Sequence, residues 1–212
     1  MENKLQQVFD RFRAANLRIH PGKCRWSVGK IRFLGHIFDQ NGVSVDESKT
    51  SIVRDFPVPN TVKKVRSFLG LVNYYRRFIK GFSQITAPLR ELLKNSIKFQ
   101  WSPECQRAFE QLKLLLISSP VLAMPDFNKP FILTCDASTK GIAYILSQLD
   151  SQGYEKVNCY GGRSLHDNET RWGISELECL AIIEGVKEYS TYLKAKPFEI
   201  VTDHVSLSYL KK

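Results

Sequence analysis

The chain has 212 residues, 43% of them apolar and 25% charged, with five cysteines and a net charge of +10. That is enough apolar material for one large or two small packed units, and it excludes a disordered polymer or a disulfide-stapled mini-protein. No apolar run approaches the ~18 residues that a membrane span needs, MENKLQQVFDRF is not a signal peptide, and the scattered odd cysteines fit buried thiols in a reducing compartment.

Charge is unevenly placed. Residues 1–130 hold 22 basic and 10 acidic side chains, a balance of +12, whereas residues 131–212 hold 9 and 11. The first part has the electrostatics to follow a phosphate backbone, or simply a solvated basic surface. In residues 2–15, Leu5, Val8, Phe9 and Phe12 share a helical face. Cys24 to Val28 and Ile31 to Phe38 read as two strands joined at Gly29-Lys30, and Asn41-Gly42 is a turn before a short strand with Val43 and Val45. Asp46 is placed to cap a helix over 47–55, stopped by Pro57 and Pro59.

From Thr61 to Phe82 apolar residues recur every three or four positions, while Lys63, Lys64, Arg66, Arg76, Arg77 and Lys80 take the other face. Gly70 is where this pattern allows a bend or a split. Such a helix suits either a nucleic-acid surface or an ordinary solvated face. Further helices are expected from Ile85 to Lys94 and after Ser102-Pro103, a cap followed by a first-turn proline. Residues 121–130 read as a linker into a second domain.

Beyond it the period becomes that of strands. Phe131–Cys135, Ile142–Leu149 and Val157–Tyr160 are three strands, a helix follows from Ile174 to Leu193 with Ser175 as its cap, and Phe198–Thr202 is a fourth strand before a helix over Val205–Leu210. The order β-β-β-α-β-α makes an α/β layer in which a right-handed crossover returns the fourth strand beside the first. Asp136 then ends the first strand, Asp203 ends the fourth, and Glu178 lies one turn into the helix between. Each has an ordinary reading as a cap, a turn residue or a solvated acid, and Glu176 is a rival for Glu178. Together they form a set that repels unless divalent cations hold it, an oxygen-only site suited to Mg²⁺ or Mn²⁺. Two such ions serve phosphodiester hydrolysis.

These acids lie in CDASTKGIAYILSQ, RWGISELECLAII and FEIVTDHVSLSYL, which resemble the RNase H domain of gypsy-type LTR retrotransposon Pol polyproteins. Upstream, KIRFLGHIFDQNG resembles the primer-grip hairpin of the same family's reverse transcriptase, FLGLVNYYRRFIKGFSQITAPLRELL its thumb, and FQWSPECQRAFEQLKLLLISSPVL the helix leading into RNase H. The resemblance implies an α/β protein with a palm tail over 1–59, thumb and connecting helices over 60–120, the linker 121–130 and an RNase H-like domain over 131–212. It implies that Asp136, Glu178 and Asp203 hold two Mg²⁺ or Mn²⁺ ions. Phe33, Leu34, Gly35 and His36 would form the primer grip, and Tyr75, Arg76 and Arg77 the part that cradles duplex. The implied partners are an RNA–DNA hybrid, a primer–template duplex and the rest of Pol, with no membrane and a cytoplasmic or nuclear setting.

Departures from the pattern carry expectations too. No Tyr-x-Asp-Asp occurs in the chain, so the polymerase carboxylates are expected upstream of the segment. The sequence ends at Lys212, before the position of the family's last strand and fourth RNase H acid. Gly161-Gly162-Arg163 stands where the family usually has Ala-Ser-Arg. A non-catalytic nucleic-acid-binding remnant is the other reading.

Overall fold

A computed structural model describes residues 2–94 and 97–203. The expected helix at Val205–Leu210 lies outside the described residues. Helix α1 (Glu2–Ala14) forms on its 3.6-residue apolar period; Leu5, Phe9 and Phe12 of its stripe are half-buried and Val8 is exposed, with Phe9 meeting the edge of Trp26 at 6.0 Å. Cys24 to Val28 does not form a strand. The segment Ile31–Phe38 folds back on itself as β1 (Lys30–Phe33) and β2 (His36–Asp39), with Phe33 opposite His36. Leu34 and Gly35 take φ of 47° and 73°, the left-handed pair of a two-residue hairpin turn. Alternation alone favours one long strand here, and the single glycine is the only local sign of the reversal.

Strand β3 (Gly42–Val45) completes a three-stranded antiparallel sheet. Its outer side exchanges two backbone bonds between Val43 and Leu122, of 2.7 and 2.8 Å. Gly42, at φ 137°, lies so close to the Leu122 carbonyl that no side chain fits. Asp46 accepts from the Ser48 N–H at 3.0 Å and starts α2 (Glu47–Arg54).

Thr61 caps α3 (Val62–Asn73), and the long basic pattern breaks after it rather than at Gly70. A 3₁₀ turn over Arg76–Phe78 follows, then Gly81 at φ 70°, then α4 (Phe82–Glu91). Gly81 supplies the left-handed residue that the reversal requires. Ser102 caps α5 (Pro103–Ile117) as its sequence indicates. These helices enclose the first core around Phe68, Leu89, Leu112, Leu116 and Leu122, all fully buried.

The second sheet has the order β6-β5-β4-β7, from β4 (Ile132–Ser138), β5 (Gly141–Leu149), β6 (Glu155–Ser164) and β7 (Glu199–Val201). The first three are antiparallel and β7 is parallel to β4, as a crossover helix demands. That helix divides into α6 (Ile174–Glu188) and α7 (Ser190–Leu193), and Gly173 rather than Ser175 is the cap of α6. Gly185 lets α6 sit close on the sheet, because a Cβ there would come within 3.3 Å of Tyr144 and Leu133. A second core forms around Leu133, Ile142, Leu146 and Ala181. Among the described residues no helix is long and apolar enough to cross a membrane.

Residues 121–130 form an ordered strap. The Gln148 side chain donates to the carbonyls of Asp126 and Lys129 at 2.8 and 3.2 Å, and Asn158 donates to that of Ala123 at 3.1 Å. The fold is a mixed α/β arrangement in which the two cores meet along β6. Phe68 centres the first core, its ring 5.3 Å from Phe56 and 4.6 Å from Phe109. Phe68→Ala is expected to cost about 3–5 kcal/mol, read as a lower urea midpoint at unchanged slope.

Candidate metal centre

Strands β4 and β7 run parallel with Ile132 opposite Glu199 and Thr134 opposite Val201. The same offset continued two residues further sets Asp136 level with Asp203. Asp136 therefore lies inside β4, two residues before its end, rather than after it. Glu178 arrives from α6, which packs across β4. Among the described residues, one carboxylate oxygen from each of Asp136, Glu178 and Asp203 lies within 4.8 Å of the others. Both aspartates are exposed and Glu178 is 3% exposed.

The buried member organises the group. The Glu178 carboxylate accepts from the Ala137 N–H at 3.0 Å and from the Thr202 hydroxyl at 3.4 Å. Those donors adjoin Asp136 and Asp203, so one side chain ties together the two backbone segments that carry the other acids. Burial raises the Glu178 pKa above the usual carboxylate range, and the negative charges of Asp203 and Asp136 push the same way. Burial also pushes the neighbouring Cys135 thiol up to about 12, with help from Glu178, which keeps its sulfur protonated. Glu176 is used elsewhere: its carboxylate accepts from the Gly173 N–H at 2.8 Å and closes the start of α6.

Such a centre suits a hard divalent cation. Its donors are carboxylate oxygens, three negative charges share a few ångströms, and two of the three side chains remain open to solvent.

The residues expected to touch nucleic acid occupy different environments. Phe33 and Leu34, 58% and 69% exposed, project at the β1–β2 turn. The Tyr74 hydroxyl donates to the Leu34 carbonyl and the Tyr75 hydroxyl to that of Gly35, at 3.3 Å in the second case. Tyr75 is itself buried, and His36 is half-buried among Phe38, Tyr74, Tyr75 and Phe78. Burial, then the charge of Arg77, lowers the His36 pKa. Arg76 pairs with Glu188 of α6 at 2.8 Å, and the half-buried Arg77 lies 6.0 Å over the Phe78 ring. The tyrosines and Arg76 thus brace the turn and the second sheet, and the open apolar surface belongs to Phe33 and Leu34. Sequence periodicity did not single out Tyr74 or Thr202, because both act through contacts distant in the chain.

Nor did it single out Glu169. This carboxylate is 6% exposed, receives both terminal nitrogens of Arg163 at 2.7 and 2.8 Å, and accepts from the His166 N–H at 2.7 Å. Arg163 also lies 3.8 Å from Glu184 on α6. The clamp holds the loop that leads from β6 into α6. Arg163 holds the Glu169 carboxyl down at about 2, against the opposing effect of burial.

The family described as the RNase H-like domain found in reverse transcriptase matches residues 101–200. Over 210 residues the chain is 35% identical to the retrovirus-related Pol polyprotein from transposon 412 of Drosophila melanogaster, covering 99% of this chain and 17% of that protein. It is 36% identical over 209 residues to the corresponding polyprotein from transposon 297 of the same organism, covering 98% of this chain and 19% of the relative. The Tf2-3 transposon polyprotein of Schizosaccharomyces pombe is 34% identical over 206 residues, 96% of this chain and 15% of the relative. The chain thus spans less than a fifth of each of these relatives. Among solved structures, the foamy viral protease-reverse transcriptase in complex with RNA/DNA hybrid superposes with a TM-score of 0.79 at 22% identity, covering 98% of this chain and 28% of that one. At that identity the likeness is one of fold.

Removing Arg163 would leave Glu169 buried without its counter-charge, so Arg163→Met is expected to cost about 2 kcal/mol in urea unfolding at neutral pH. Because the folded pKa of Glu169 is depressed, its contribution is complete above the ordinary value of 4.5 and is lost as pH falls toward about 2. Stability of Glu169→Gln is therefore expected to fall less steeply through that window than stability of the wild type.

Proposed function

The chain belongs to the retrovirus-related Pol polyproteins of LTR retrotransposons, over the segment where the C-terminal part of reverse transcriptase meets the RNase H-like region, and from that premise we propose that its Asp136–Glu178–Asp203 centre serves Mg²⁺-dependent cleavage of the RNA strand in an RNA–DNA hybrid. The observation that carries this reading is the convergence of the three carboxylates within 4.8 Å from β4, α6 and the turn after β7. We further propose the division into a palm tail (1–59), thumb and connecting helices (60–120), a strap (121–130) and an RNase H-like domain (131–212).

Asp136, Glu178 and Asp203 would hold the ions, and Mn²⁺ would substitute for Mg²⁺. Bound there, a pair of such ions activates a water and stabilises the leaving oxygen of a phosphodiester. The chain's own residues do the rest. Ala137 and Thr202 hold the Glu178 carboxylate in one orientation, so binding a cation demands little rearrangement of the buried ligand. The exposed aspartates leave the other side of the centre open to a scissile phosphate. At the far end of the chain, Phe33 and Leu34 offer apolar contact to sugar and base, from a turn whose carbonyls are fixed by Tyr74 and Tyr75.

A second reading, binding without catalysis, is favoured by the +12 balance of residues 1–130. It predicts affinity for duplex that falls steeply with salt whatever happens at Asp136.

The purified chain is expected to cleave a labelled RNA–DNA hybrid weakly with Mg²⁺. Asp136→Asn should lower the rate at least ~100-fold and weaken Mn²⁺ binding in calorimetry. No cleavage by the wild type with salt-sensitive binding intact selects the second reading, and cleavage that Asp136→Asn leaves unchanged overturns the assignment to this centre. With no Tyr-x-Asp-Asp to hold the metals of an incoming nucleotide, the chain is expected to extend no primer in an incorporation assay.

A further inference from the structure

The two cores are joined by more than the strap at 121–130. Val157 and Tyr160 of β6 pack against the first core although their strand belongs to the second sheet. Ser83 of α4 is 3% exposed and donates its hydroxyl to the Gly162 carbonyl at 3.1 Å. Arg76 reaches Glu188 of α6 at 2.8 Å.

The Ser83 contact depends directly on how β6 passes β5 at Gly161-Gly162. Tyr144 stands opposite Gly161, and its ring, edge-on to Tyr189 at 5.5 Å, covers the bare Gly161 backbone. A Cβ on Gly161 would run into that ring and come 2.6 Å from the Tyr189 hydroxyl. Gly162 has φ 136°, where L side chains are strained, and a Cβ there would strike the Ile142 carbonyl. Its carbonyl is the one that receives Ser83. The two glycines thus bring β6 in flat under the tyrosines and offer a carbonyl to α4.

We infer that this seam is a built joint: Gly161 and Gly162 permit a contact surface on β6 whose partner is the helical part of the same chain, and the two cores open as one cooperative body. The Arg76–Glu188 pair, with side chains 53% and 40% exposed, contributes little to it. Close packing of Tyr160 and Val157 and the buried Ser83–Gly162 bond do most of the joining. A rigid seam also holds the β1–β2 turn at a set distance from the carboxylates, a consequence that rests on the nuclease reading.

Hydrogen exchange followed by mass spectrometry tests the joint without reference to cleavage, so its failure leaves the nuclease reading untouched. Leu112→Val loosens the first core from α5, away from the seam. In the wild-type background it is expected to speed exchange in α6 and β4 as much as in α5, roughly tenfold. With Tyr160→Ala and Ser83→Ala added, or with Gly161→Ala added, the effect in α6 and β4 should disappear while that in α5 remains. If Leu112→Val leaves α6 and β4 at wild-type rates in the wild-type background, the cores are independent and the inference is wrong. Transmission that persists in the seam variants overturns it equally. Should Gly161→Ala fail to fold, the Tyr160→Ala, Ser83→Ala background decides.

Discussion

The buried carboxylate of Glu178 is the constraint on which the arrangement of the second sheet turns. An ionised side chain removed from water is costly unless hydrogen bonds and a counter-charge compensate it. Here the bonds come from β4 and from the residue after β7, and the missing counter-charge is what a divalent cation would supply. An apolar residue at 178 would relieve the electrostatic cost, but it would also remove the link between the segments that carry Asp136 and Asp203. The arrangement gathers three carboxylates around one buried side chain whose pKa is raised by burial and by its two acidic neighbours.

A similar economy shapes the first sheet. A two-residue turn with both residues left-handed exposes its carbonyls, and Tyr74 and Tyr75 answer them from the end of α3. Their hydroxyls reach the turn just where the long helical pattern stops. The break in that pattern and the bracing of the hairpin are one feature. Tyr75, which resemblance assigns to duplex, is buried with its hydroxyl on the Gly35 carbonyl, while Arg76 keeps half of its side chain open beside Glu188.

Much of this was legible beforehand, and the limits have a physical basis. Caps at Asp46 and Ser102 act within three residues of the helix they start, so local chemistry is enough to read them. The strand period of 131–149 survives because one side of β4 and β5 packs on a core. What escaped was non-local. Gly161-Gly162 looks like a loose dipeptide until Tyr144 is seen over it, and Glu169 looks like a surface acid until Arg163 closes on it. Ser175 reads as the cap of α6 because a hydroxyl is a common N-cap, yet the helix starts earlier, at Gly173, whose N–H is held by the Glu176 carboxylate.

The amino-acid sequence alone determined the order of strands and helix in the second sheet, the start of α5, the asymmetry of charge and the family, because each is written in neighbouring residues or in short motifs. Only the tertiary structure decided that Asp203, in the turn after β7, comes level with Asp136 of β4 and that the Glu178 carboxylate is buried between them. Only it showed that Val157, Tyr160 and Ser83 join the two cores. The reason is that register and burial are set by partners far away along the chain, and no local pattern carries that information.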